Sequence, residues 1–158
     1  MTSRRRQAGV SLIEVLVSLL ILGIGMLGAA ALQMNALKFT DSSTASSQAS
    51  FIAYDMMDRI RANPDGNYAL ASLATAPTAG SLTSPVTQDL YDFSSNVKWM
   101  GGTTASSITV VGRVVTITIV WNDARAAGAR AVDNTASTAS TTQTYTLVSR
   151  VAINKGII

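Results

Sequence analysis

One carboxylate stands where a carboxylate is costly. Glu14 is the single charged residue in the 23-residue apolar run from Val10 to Leu32. Insertion scales put an acidic or basic side chain at the centre of a membrane helix at a cost of about 2.5–3.5 kcal/mol, and such residues are usually paired and functional. No Lys, Arg or His lies near Glu14 on its apolar side. A cut after Gly9 would supply a partner, because the new α-amine on Val10 stands four residues before Glu14. That spacing puts the two groups one helical turn apart on one face. The chemistry this stretch points to is processing followed by ion pairing.

The rest of the chain offers little to a catalyst. With no His and no Cys, neither a His-activated nucleophile nor a common zinc site can be built, and disulfides, thiolates and lipoprotein anchors are excluded. Asp55 with Arg59, and Asp58 with Arg61, have helical-pair spacing. They read as a solvated helix face with its own counter-ions rather than a metal or acid–base site. Gly23-Ile24-Gly25-Met26-Leu27-Gly28 spells G-x-G-x-x-G, but dinucleotide binding requires a preceding strand and a turn into a helix, and here the flanks are one apolar run. Small residues that let helices approach closely in a membrane, or that soften a helix by about 1 kcal/mol each, are the better reading. A Ser–Lys pair is conceivable through Lys38, Lys98 or Lys155, with nothing to place one beside a Ser. No phosphate-cradling loop follows a strand, and no aromatic–basic interleaving suggests nucleic-acid binding. No enzymatic activity, cofactor, metal or nucleic-acid partner is expected.

The element that must position Glu14 is a helix. At about 1.5 Å per residue, Val10–Leu32 reaches about 35 Å, enough to cross a hydrocarbon core of about 30 Å and too long for an ordinary secretory h-region of about 7–15 residues. Arg4, Arg5 and Arg6 precede the run and no basic residue follows soon after, which places the N-terminus in the cytoplasm. The formal charge of +3 comes from 12 Lys and Arg against 9 Asp and Glu. Without those three arginines the balance is 9 against 9, so the basic character belongs to the leader and makes no case for a nucleic-acid surface.

The stretch Gly9-Val10-Ser11-Leu12-Ile13-Glu14, with its basic leader, resembles the class III signal of type IV pilins and type II secretion pseudopilins. The resemblance implies cleavage between Gly9 and Val10 by the prepilin peptidase, N-methylation of Val10, and a docking role for Glu14 during filament assembly. Family members usually carry Phe at the first mature position, where this chain has Val10. The resemblance also implies a type IV pilin fold, an α+β architecture whose long N-terminal helix, membrane-embedded in its first half, packs on a C-terminal antiparallel sheet. A second segment, Met56-Met57-Asp58-Arg59-Ile60-Arg61-Ala62-Asn63, is similar to the PilV type of minor pilin, as are Leu12–Val17, Gly23-Ile24-Gly25 and Ala31-Leu32-Gln33. Partners implied are the prepilin peptidase and other minor and major pilins, met through the N-terminal helix. The protein would sit in the bacterial inner membrane as a single pass, then in the pilus at the cell surface.

The expected organisation is a leader at 1–9, a transmembrane and filament-core helix at 10–32, its amphipathic continuation at 33–63, and a loop-and-sheet globular domain at 64–158. Apolar or small residues at Met34, Leu37, Ala45, Ala49, Ile52, Met56 and Ile60 recur at helical steps, and no Pro occurs before Pro64. Asn63-Pro64-Asp65-Gly66 stops the helix. Residues 67–90 read as a surface loop and Asp89–Met100 as holding a short strand that ends at Lys98-Trp99-Met100. Ile108–Val111 and Val114–Trp121 read as a hairpin turned by Gly112-Arg113, followed by a loop over Asn122–Thr142 and a last strand over Gln143–Ile153. Trp99 and Trp121 are expected to anchor the core under the long helix. Two alternatives remain: a type II secretion pseudopilin, and a secreted or singly anchored binding domain with an ordinary signal, for which Gly28-Ala29-Ala30-Ala31 offers a cleavage site.

Overall fold

A computed structural model describes residues 11–124, 126–127 and 141–152. Leu12–Ala62 forms one α-helix of 51 residues, α1. It stops where the sequence says it must: Asn63 N donates to the Arg59 carbonyl as the last helical bond, and Gly66 N turns back to Asn63 O at 3.1 Å. A proline at 64 keeps the preceding residue out of the helical region. The chain divides into two compact units, Met1–Leu37 and Lys38–Ile158.

In the first unit, α1 buries none of its described side chains; Leu12, Leu27 and Leu32 are among its exposed residues. By length and composition this helix is able to cross a membrane. The second unit holds the whole core. Ala49, Ala53, Met56, Met57 and Ile60 are buried along α1, at the i, i+4, i+7, i+8, i+11 steps of a single apolar stripe. They join Leu90, Phe93 and Val97 of a second helix and the inner residues of a sheet in one cluster. Met34 and Leu37, expected on the same stripe, are exposed.

The second helix, α2, corrects the sequence reading. Pro85–Trp99 is helical, where a loop to residue 90 and a strand within Asp89–Met100 were expected. The Ser84 hydroxyl accepts from Thr87 N and Pro85 occupies the first turn, a helix start of the preferred kind. Val86, Leu90, Phe93 and Val97 then fall at steps of four, three and four, which is the helical period. Trp99 is a second correction: it is 85% exposed, because it lies two residues past Val97 and so on the face of α2 turned from the core. The segment before α2 also has structure, a 3-10 turn at Leu73–Thr75 and a bridge from Leu70 to Ile108.

Three antiparallel strands follow, β1 (Ser107–Val111), β2 (Val114–Asn122) and β3 (Thr142–Arg150), in the order β1-β2-β3. Val111 pairs with Val114, leaving Gly112-Arg113 as a two-residue turn. Gly112 has φ +59°, the Gly-first form that matches strand twist. On β2, Val115, Ile117, Ile119 and Trp121 are buried and alternate with half-buried residues, so Trp121 anchors the core as expected. β3 pairs with β2 over nine residues, from Asn122↔Thr142 to Val114↔Arg150, and turns Tyr145 and Leu147 towards the core. Ile153, expected within this strand, and most of the expected loop before it, lie outside the described residues. The α+β arrangement of a long helix over an antiparallel sheet stands.

Gly102 marks the tightest approach in the second unit. Its N–H donates to Val97 O at 2.8 Å, and a Cβ there would meet Val97 O at 2.6 Å and collide with the Val97 side chain. Gly102→Ala should therefore lower stability by about 1–3 kcal/mol, the range for overpacking, measured by chemical denaturation. A chain truncated to start at Gln33 should be soluble and monomeric, because every buried core residue lies at or beyond Ala49; light scattering checks this, and persistent aggregation would show that the core is not self-sufficient.

Candidate functional site

Glu14 sits in the first turn of α1, exposed, with its N–H on Ser11 O at 3.0 Å. A carboxylate in this position is favoured by the helix dipole. Gly9 and Val10, the expected cleavage and methylation residues, lie outside the described residues. Among the described residues Glu14 forms no ion pair, and none from Val15 to Leu37 carries charge. Gly23, Gly25 and Gly28 lie in the middle of α1, and a Cβ on any of them would meet nothing within 4 Å. With no strand leading into them and no turn around them, they form no nucleotide loop.

At the far end of α1 a polar cluster fastens the helix to its surroundings. The Arg59 guanidinium reaches Asp55 Oδ2 through Nε at 3.0 Å, and Asp89 Oδ1 and Asp92 Oδ2 through Nη1 at 3.0 and 2.9 Å. Tyr68 Oη donates to Asp89 Oδ2 at 2.8 Å, Asn63 Nδ2 donates to Tyr68 Oη at 3.3 Å, and Gln88 Nε2 holds Asp92 Oδ1 at 2.8 Å. Arg61 bridges Asp58 and, through Nη2, the Ser149 hydroxyl of β3 at 2.9 Å. Burial by itself would lower the Arg59 pKa; the hydrogen bonds to Asp89 and Asp92 and the Asp55 charge outweigh it, and the net shift is upward. Burial first, and donation to Asp89 second, raise the Tyr68 phenol above its ordinary value.

Asp55 and Asp58 on α1 thus have the counter-ions their spacing predicts. Asp89 and Asp92 were missed as partners because they stand 30 and 33 residues away, on a helix the sequence reading did not place. Among the described residues no group of three or more His, Cys, Asp or Glu is arranged to hold a metal. Each carboxylate around Arg59 is engaged by a donor, so the cluster acts as a fastening.

Comparison with known families gives two matches. Residues 4–30 match the prokaryotic N-terminal methylation motif, and residues 31–90 match the family described as type IV pilin Tt1218. The chain carries a prepilin methylation motif and a type IV pilin domain. No curated protein and no solved structure matches it. The first match covers Glu14 and the glycines, and the second runs from Ala31 into α2, taking in Arg59, Arg61, Asn63, Tyr68 and Asp89. An exposed apolar helix bearing the prepilin motif is the arrangement of a membrane-anchored subunit that assembles.

Arg59→Ala should cost about 2 kcal/mol, as hydrogen bonds to charged groups do, and it leaves Asp89 and Asp92 facing each other without a cation. Arg59→Lys should recover less than half, because a single ammonium cannot spread over three carboxylates as the fork does; urea unfolding of both variants checks this. The raised phenol gives a pH signature. Its contribution is whole below the ordinary value of about 10 and is lost as pH climbs through the raised one. Stability should fall above about pH 10, and Tyr68→Phe should flatten that fall. Part of it should persist, because Tyr145 is also raised, by burial and then by its hydrogen bond with Tyr54.

Proposed function

We propose that this pilin is a minor subunit of the PilV type, acting in assembly, initiation or modification of a type IV pilus. The observation that carries the reading is the exposed apolar helix Leu12–Leu37 with one charge on it, Glu14. Prepilin peptidase cuts between Gly9 and Val10, and the new amine on Val10 is methylated. Arg4–Arg6 hold the N-terminus in the cytoplasm while the helix spans the inner membrane once. The role is structural rather than catalytic, and the partners are other pilins met along α1. Met56–Asn63, similar to the PilV segment, supports the subtype; its Arg59, Arg61 and Asn63 hold α1 to α2, β3 and Tyr68.

The mechanism follows from what Glu14 needs. In a low-dielectric bundle of stems an unpaired carboxylate is costly, and the Val10 amine of its own or a neighbouring chain offers a charge-assisted hydrogen bond. Pairing with a neighbour's amine favours the docked state over the undocked stem in the membrane, and the apolar stem supplies the remaining contact.

Intact-mass measurement and N-terminal sequencing of membrane and pilus fractions should find a mature chain that begins at methylated Val10. A start at Leu32 would instead point to an ordinary signal and overturn the proposal. Glu14→Ala should insert into the membrane at least as well as the wild type, yet its amount in sheared pili, relative to the inner membrane, should fall about tenfold or more, the loss of one buried charged partner. Glu14→Gln should behave more like Ala than like Glu. Wild-type ratios for both variants would remove the docking role.

A further inference from the structure

Large aromatic side chains of a folded domain seldom stand free in solvent, yet Trp99 is 85% and Phe51 72% exposed. They flank a groove of about 230 Å³, lined by Gln48, Phe51 and Ile52 on α1 and by Asn96, Trp99 and Met100 at the end of α2. The two walls carry one pattern: an amide, an aromatic three residues on, and a flexible or branched apolar side chain one residue after that. Helical geometry brings such positions onto one face. Among the described residues no hydrogen bond engages the side-chain amide of Gln48 or of Asn96. A small groove with apolar walls and a few convergent polar groups is the form of a ligand site. We propose that it binds one pyranose ring of a neutral glycan, stacked on Trp99 with its hydroxyls on Gln48 and Asn96.

Size and polarity together choose this ligand. From i to i+4 a helix rises about 6 Å, so each wall is shorter than the width of a helix, about 10–12 Å, and seats no third one. The volume is also below the range of about 300–1,000 Å³ that drug-sized molecules occupy, which suits a single ring. No Lys, Arg, Asp or Glu lines the groove, so a charged ligand would lose water there and gain no counter-charge. That disfavours an anionic sugar, and equally a nucleic-acid strand, whose phosphates need Lys or Arg close by. A purely apolar ring fares no better, because it would cover both amides and leave them unpaired. A pyranose meets every condition. The C–H bonds on its face lie against the negative face of an aromatic ring, and the hydroxyls around its rim donate and accept, as the two amides do. The exposure of Trp99 then has a use, as a flat platform. This binding goes beyond the pilus-subunit reading and does not rest on it.

The test titrates the full chain, held in lipid nanodiscs, with the methyl glycosides of glucose, galactose, mannose and N-acetylglucosamine. Binding is read as NMR saturation transfer to the ligand's protons and as a change in tryptophan emission. At least one glycoside should bind saturably, at about 1 mM for a single ring in an open groove, with transfer strongest on one face of the ring. Trp99→Ala should weaken that binding at least tenfold, as loss of an aromatic anchor does. Its thermal unfolding should be unchanged, because the side chain already stands in water. Trp99→Phe should retain most of the binding, and Gln48→Ala and Asn96→Ala should each weaken it about three- to tenfold, the share of one hydrogen bond. Absence of saturable binding by all four glycosides would overturn the proposal, as would binding that survives Trp99→Ala. Tighter binding of methyl glucuronide or of adenosine would overturn it too, by showing that the groove selects charge or a nucleobase. None of these outcomes bears on the pilus-subunit reading, which the mature N-terminus and the content of sheared pili decide.

Discussion

Arg59 sits at the join on which the second unit depends. One guanidinium, placed by α1, is shared among Asp55 on its own helix and Asp89 and Asp92 on α2. A planar fork is suited to this because its donors have fixed directions. The three carboxylates would repel one another without it, and with it they hold two helices in one relative position. Apolar packing beneath the cluster, from Met56, Met57 and Ile60 on α1 to Leu90, Phe93 and Val97 on α2, supplies most of the attraction; the ionic cluster selects the geometry. Arg61 extends the same logic to β3 through Ser149. In a chain with no cysteine, directional polar contacts take over the positional role that a covalent cross-link would have.

The parts of this fold that could be read from the sequence are those whose signal is local. The end of α1 at Ala62 follows from Pro64, the β1–β2 hairpin from Gly112 between two runs of β-branched residues, and the buried face of β2 from its period of two. Glu14 stood out because nothing near it shares its polarity. α2 was missed for an equally physical reason: Ser94, Ser95, Asn96, Asp89 and Asp92 are weak helix formers, and Val97 beside Trp99 imitates a strand. What makes it a helix is the Ser84 cap and the four apolar residues, Val86, Leu90, Phe93 and Val97, that join the core cluster, a tertiary effect. Trp99 was expected inside because large aromatics usually are. It lies outside because α2 is a helix, so one misread element produced both errors, together with the failure to see Arg59's partners.

α1 serves two requirements within one continuous helix. Up to Leu37 its side chains are exposed on all sides, which is stable only where lipid or other helices replace water. From Ala49 onward it turns a conventional stripe to a core, with the opposite face polar. The change of environment falls where Thr40, Ser42, Ser43, Thr44, Ser46 and Ser47 crowd together, and Thr44 and Ser47 return their hydroxyls to carbonyls four residues back. Such back-bonding satisfies side chains without a partner outside the helix, so the stretch is at ease in water before either apolar environment begins.

The register between β2 and β3 bears on how the protein tolerates change. Asn122 pairs with Thr142, and Asp123 N donates to Thr141 O at 2.7 Å, so the chain leaves the sheet and returns to it at two points already held together. The two ends of the connection between them are therefore held together by the sheet. Lengthening such a segment is cheap, about 0.6 kcal/mol for each doubling. Insertions beyond Ala127, which is buried with Ala126, leave the β2–β3 ladder and the Arg59 fastening where they are.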